Sequence, residues 1–147
     1  MTELTLAGAC GLYCGACGIY RMNHDQGVER LARNAQEVFQ CQPEQIRCEG
    51  CRGPAGFRWS PDCEILACAS SRGLTFCHQC RDFVCEELST FSADRGDIPV
   101  SNLQRMAEVG LTTWIEEQAV RWQCPACHHA VDIYSRVCRT CGAVLPG

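Results

Sequence analysis

Fifteen cysteines are set into 147 residues, and most lie three, four or five residues from another. Five Cys-x2-Cys pairs occur: Cys14/Cys17, Cys48/Cys51, Cys77/Cys80, Cys124/Cys127 and Cys138/Cys141. Thiolates at that spacing converge on one metal ion with little backbone strain, whereas a disulfide across it is a tight, redox-type ring. An odd count also argues against a complete set of internal disulfides. The sequence therefore reads as a metal-organised chain, given its shape by sulfur coordination rather than by a large apolar interior.

The most specific spacing is Cys124-x2-Cys127-x10-Cys138-x2-Cys141. Two such knuckles at the ends of a hairpin supply four sulfurs to one tetrahedral zinc, and a closed four-sulfur set leaves no open position, which makes the site structural. Iron suits the same cage. Val131, Ile133, Tyr134 and Val137 between the knuckles fit a small β-hairpin. His128 and His129 read as surface groups or as donors to thiolate, because four cysteines already fill the site.

Eleven cysteines precede residue 92. Cys41 lacks a near partner and is set aside as a buried or free thiol. Spacing leaves the pairing open; the preferred scheme closes one zinc site from Cys48, Cys51, Cys63 and Cys68, which are local, and another by bringing together the knuckles Cys14/Cys17 and Cys77/Cys80, with Cys10 and Cys85 as alternates for that second site. The whole chain would then hold roughly two to three zinc ions. Cys10-x3-Cys14-x2-Cys17 also has the spacing of the iron–sulfur triad of radical S-adenosylmethionine enzymes. The chain is too short for their barrel. An iron–sulfur cluster on Cys10, Cys14 and Cys17 with a distant fourth ligand is the alternative, in a redox or accessory protein.

Between these sites, Val28, Leu31, Ala35 and Val38 repeat at helical spacing and predict a helix over 28–39. Residues 47–68 are loop-rich, and 92–99 read as a flexible connection. Ser101-x-x-Gln104 and Thr113-x-x-Glu116 resemble capping boxes, which would start helices there, with Gly110 between them. The expected fold is a small, metal-stabilised α+β protein: a cysteine-rich domain over 1–95, a helical segment over 96–123 and a zinc ribbon over 124–147.

Net charge is −4 and every one of the thirteen basic residues is arginine. An acidic chain is a poor match for phosphate backbones, so a protein partner is expected ahead of nucleic acid. Phe57, Arg58 and Trp59 are candidate contact residues. No secretory signal pattern and no membrane-length apolar run is present, and a cytoplasmic location is expected. Catalysis is not expected: His24-Asp25 and Asp62 are the nearest acid–base candidates, and no metalloprotease, deaminase or phosphate-loop motif occurs.

Four stretches resemble a known group: Cys-Gly-Leu-Tyr-Cys-Gly-Ala-Cys (10–17), Arg-Cys-Glu-Gly-Cys (47–51), Cys-Glu-Ile-Leu-Ala-Cys (63–68) and Phe-Cys-His-Gln-Cys-Arg-Asp-Phe-Val-Cys-Glu-Glu-Leu (76–88). They are similar to a cysteine-rich family of prokaryotic domains of unknown function, whose longer members end in a zinc ribbon. The resemblance extends over nearly the whole chain. It implies metal binding, zinc first, and no established activity. Val84 stands where the family pattern carries proline, and Ser60 where some members carry a further cysteine.

Overall fold

Apolar residues at helical spacing are concentrated after residue 85, and the longest helices lie there. The computed structural model describes residues 6–24, 32–33, 35–46, 48–52, 63–133 and 135–145. Its α-helices are α1 (Gly18–His24), α2 (Glu64–Ser71), α3 (Glu86–Ala93), α4 (Ile98–Val109) and α5 (Leu111–Arg121). Short 3₁₀ turns span Cys14–Ala16, Pro43–Ile46 and Cys77–Gln79, and Ala35–Phe39 forms a single π-helical stretch. Of the helix expected over 28–39, residues 28–31 and 34 lie outside the described residues.

Helices α4 and α5 begin three and two residues ahead of the expected capping boxes. Pro99 sits in the first turn of α4, where its missing N–H costs nothing and its fixed φ suits a helix. Gly110, at φ 85°, ends α4 and opens α5; a residue free to take positive φ lets the chain turn without an intervening loop. The corner before α4 is tied. Ser92 is fully buried, its hydroxyl accepts the Val100 N–H at 3.0 Å, and its carbonyl accepts the Asp97 N–H at 2.9 Å.

One apolar cluster joins residues from both sides of this corner. Ala7, Cys10, Ile65, Phe76 and Leu88 pack with Leu103, Met106, Trp114 and Ile115. Burying each large side chain contributes about 1.5–3 kcal/mol. Tyr13 meets Trp114 edge to face, with ring centroids 6.0 Å apart. The N-terminal loop lies directly on α4. Gly11 has φ +92°, and a β-carbon there would fall 2.4 Å from the Pro99 carbonyl oxygen and 2.8 Å from Leu103 Cγ. Asn102 Nδ2 donates to the Gly11 carbonyl at 2.9 Å.

The expected α+β class with a β-hairpin ribbon is not what forms. The fold is mostly helical, and the described residues contain single bridges at Ala7–Tyr13, Gln123–Ala130 and Val137–Val144 but no sheet. No hairpin forms among the described residues, because those between the last two knuckles do not pair with one another. Ile133 N–H donates to the Ala16 carbonyl at 3.1 Å, and Ser135 turns back onto Asp132. No helix among the described residues is long and apolar enough to cross a membrane.

Candidate metal centre

The C-terminal site is built from two copies of one backbone turn. After α5, the Cys124 N–H donates to the His129 carbonyl (2.9 Å) and the His128 N–H to the Cys124 carbonyl (2.8 Å). Val131 N–H then closes the loop on the Trp122 carbonyl. Fourteen residues on, Cys138 pairs with Ala143, Gly142 with Cys138 and Leu145 with Arg136 at the same offsets. The residue four places after each first cysteine takes positive φ: His128 at 64° and Gly142 at 79°. The local sequence fits these turns, with Pro125 in the first and Gly142 reversing the second.

This repeat brings the sulfurs of Cys124, Cys127, Cys138 and Cys141 within 4.8 Å of one another. Cys124 and Cys141 sulfurs are 3.6 Å apart, and those of Cys127 and Cys138 3.7 Å. A tetrahedral ion with sulfurs at about 2.3 Å requires a separation of about 3.75 Å. The donor set therefore fits a tetrahedral four-thiolate metal. Among the described residues it is the one group of three or more histidine, cysteine or acidic side chains gathered this closely.

Backbone N–H groups prepare the sulfurs for negative charge. Ala126 N–H points at the Cys124 sulfur at 3.4 Å, and the Cys127 N–H joins it and pulls that thiol below its ordinary value. N–H groups of Cys141 and Thr140 lower Cys138 to about 6. Cys141 rises to about 12, although the Ala143 N–H favours its thiolate, because the neighbouring Cys124 thiol and burial outweigh that bond. Cys138 is thus the thiol most readily ionised, and a thiol held protonated, such as Cys141, would have to lose its proton to ligate a metal.

Among the N-terminal thiols, contacts join residues distant in sequence. Cys14 shares a hydrogen bond with the Cys51 thiol, which with burial holds Cys14 well above the ordinary range. Cys17 is pushed up by burial and by Cys48 and Cys51. Cys77 is raised to about 11 by burial, then by Cys85, Cys68, Cys80 and Cys63. Cys10 is raised to about 12, chiefly by burial, with Cys51, Cys63 and Cys77 adding to the rise. Cys63 and Cys85 cap α2 and α3. Cys41 packs against Ala35, in a small cluster with Ile19 and Phe39.

Two arginines that spacing did not single out touch these groups. Arg52 Nε donates to the Ala7 carbonyl (2.8 Å) and Nη2 to the Thr75 carbonyl (2.7 Å). Arg72 Nη1 reaches the Cys80 sulfur at 3.1 Å and Asp82 at 2.9 Å. The one sequence signal for Arg52 is its place directly after a knuckle. His24 stacks on Tyr20 and, with His129, Asp132 and Arg139, lines a small cleft. Asp25, Phe57, Arg58, Trp59 and Asp62 lie outside the described residues.

A family model described as a protein of unknown function, DUF3795, matches residues 6–90. The match takes in the N-terminal cysteines and ends before α4, α5 and the four-sulfur centre, whereas the resemblance read from the sequence extends over nearly the whole chain. No curated protein and no solved structure matches.

Proposed function

The chain belongs to the DUF3795 family of unknown function, and we propose that it is a zinc-binding recognition protein without catalytic activity, working in the cytoplasm through a protein partner. The observation that carries the zinc assignment is the spacing of the Cys124, Cys127, Cys138 and Cys141 sulfurs, which suits a tetrahedral ion. Four thiolates leave that ion no open position for a substrate or a water nucleophile. The cleft beside it encloses about 180 Å³, below the roughly 300 Å³ at which small-molecule sites begin. Net charge −4, made more negative by each four-thiolate centre, favours a protein partner over nucleic acid.

Metal analysis of anaerobically purified full-length protein tests this reading. Zinc is expected, with colourless protein and a cobalt-substituted form that has the spectrum of a tetrahedral four-thiolate site. Cys124→Ser should remove that signal from the C-terminal centre. Brown protein with visible iron–sulfur absorption would replace this proposal with the redox or accessory one.

A further inference from the structure

We propose that Cys14, Cys17, Cys48 and Cys51 close a second four-sulfur metal centre, built from two knuckles thirty-four residues apart. The inference extends the zinc reading of the C-terminal centre and relies on it for the identity of the metal alone.

Three independent features match the C-terminal centre. The first is position. The Cys51 thiol and the Cys51 N–H both bond the Cys14 sulfur, and Cys48 and Cys51 are the thiols that act on Cys17. The second is burial. In the C-terminal centre the first cysteine of each knuckle is buried and the second exposed; Cys14 and Cys48 are likewise buried at 6 % exposure, with Cys17 and Cys51 half-buried. The third is backbone donation. The Gly50 N–H points at the Cys48 sulfur at 3.4 Å, the distance and offset of Ala126 to Cys124. The Ile19 N–H bonds Cys17, the second cysteine of its knuckle, as the N–H groups two residues on, His129 and Ala143, bond Cys127 and Cys141.

The charge of such a centre is met locally. Four thiolates around a divalent ion leave a net charge of about −2. Arg52 follows Cys51 in the chain, its guanidinium lies within the influence of Cys14 and Cys51, and its two backbone anchors fix it there. It also lies 4.8 Å over the Phe76 ring, which excludes water from one side. Cys63, Cys68, Cys77, Cys80 and Cys85 remain as a separate group with its own arginine, Arg72. The four N-terminal sulfurs stand wider than the C-terminal set, so the ion draws them together on binding.

The full-length protein loaded with NMR-active cadmium gives the direct test. One cadmium should couple to the β-protons of Cys14, Cys17, Cys48 and Cys51. A cadmium shared by Cys48/Cys51 with Cys63/Cys68, or by Cys14/Cys17 with Cys77/Cys80, overturns the proposal. Zinc content gives a second measurement. Cys17→Ser and Cys48→Ser should each lose about one ion, and the double variant no more than either. A double variant that loses two ions places the knuckles in different centres and overturns the proposal. The C-terminal ion reports separately, because it should persist in all three variants and vanish in Cys124→Ser. A wild-type chain whose only ion vanishes in Cys124→Ser overturns this second centre and leaves the C-terminal one standing. Zinc unchanged by Cys124→Ser overturns the C-terminal reading, while the cadmium couplings still judge Cys14, Cys17, Cys48 and Cys51.

Discussion

The C-terminal centre and the helical body are held together by different physics. Around the four sulfurs, the buried apolar contacts are Leu145 with Val131 and Ala143. That is far too little for a module of this size to fold on apolar burial, and modules below about 40 residues usually need a metal or disulfide. The body has Leu88, Leu103, Met106, Trp114 and Ile115 packed with Ile65 and Phe76, a real interior. The N-terminal thiols lie between these extremes: Cys10, Cys63 and Cys77 join that interior, and the N-terminal sulfurs are less tightly gathered than the C-terminal four. A chain so rich in cysteine is thus not organised by sulfur throughout. At Cys124, Cys127, Cys138 and Cys141 a metal ion could take the place of a core.

The largest expected effect separates the two regions outright. A structural zinc site is worth about 10–16 kcal/mol of apparent binding energy. Cys124→Ser, or chelation of the C-terminal ion, should therefore unfold residues 124–145 and leave the thermal transition of the body in place. Loss of both transitions together would mean that the Ile133–Ala16 contact couples them and that the contrast is wrong. Leu103→Ala is the converse. It should lower body stability by about 2–5 kcal/mol in urea unfolding while the C-terminal cobalt spectrum is retained.

A smaller effect concerns Cys10, which is a core residue as much as a thiol. Burial lifts it to about 12 from the ordinary 9. A raised folded value means that its contribution is complete below pH 9 and is lost as pH climbs towards 12, at about 1.4 kcal/mol for each pH unit. The urea midpoint of metal-free protein should fall through that window, and Cys10→Ala should flatten the fall. An unchanged slope would show that Cys10 does not titrate from inside the core. The smallest effect lies on the rim. Arg105 grips Glu117 with two hydrogen bonds, at 3.0 and 2.6 Å, across α4 and α5, and holds that carboxyl below the ordinary 4.5. Exposed pairs contribute little. Glu117→Gln should shift the thermal midpoint least of all, and the difference should vanish as pH falls through the depressed carboxyl value, where the pair is lost in the parent too.

The C-terminal ligand set was legible because its geometry is local. Each knuckle closes by hydrogen bonds within ten residues, so spacing alone identifies Cys124, Cys127, Cys138 and Cys141. The hairpin was misread from Val131, Ile133 and Val137, whose alternation fits a strand; Ile133 instead spends its N–H on Ala16, a partner more than a hundred residues away. The pairing of the N-terminal knuckles is likewise not local. Proximity in sequence favoured Cys48/Cys51 with Cys63/Cys68, but tertiary packing sets Cys51 against Cys14. Helix starts were displaced because Pro99 and Gly110 set the backbone more strongly than side-chain caps at Ser101 and Thr113.

The seam at Gly11 governs how this molecule can be dissected. With no room for a β-carbon between the loop and Pro99, the first cysteine segment is moulded on a helix that starts after the family match has ended. Shortened proteins cut at residue 90 would strip away that backing and bare Leu88 and Phe76 to solvent. Expression of the cysteine-rich half on its own should keep the chain through Arg121, so that α4 and α5 still roof the thiols.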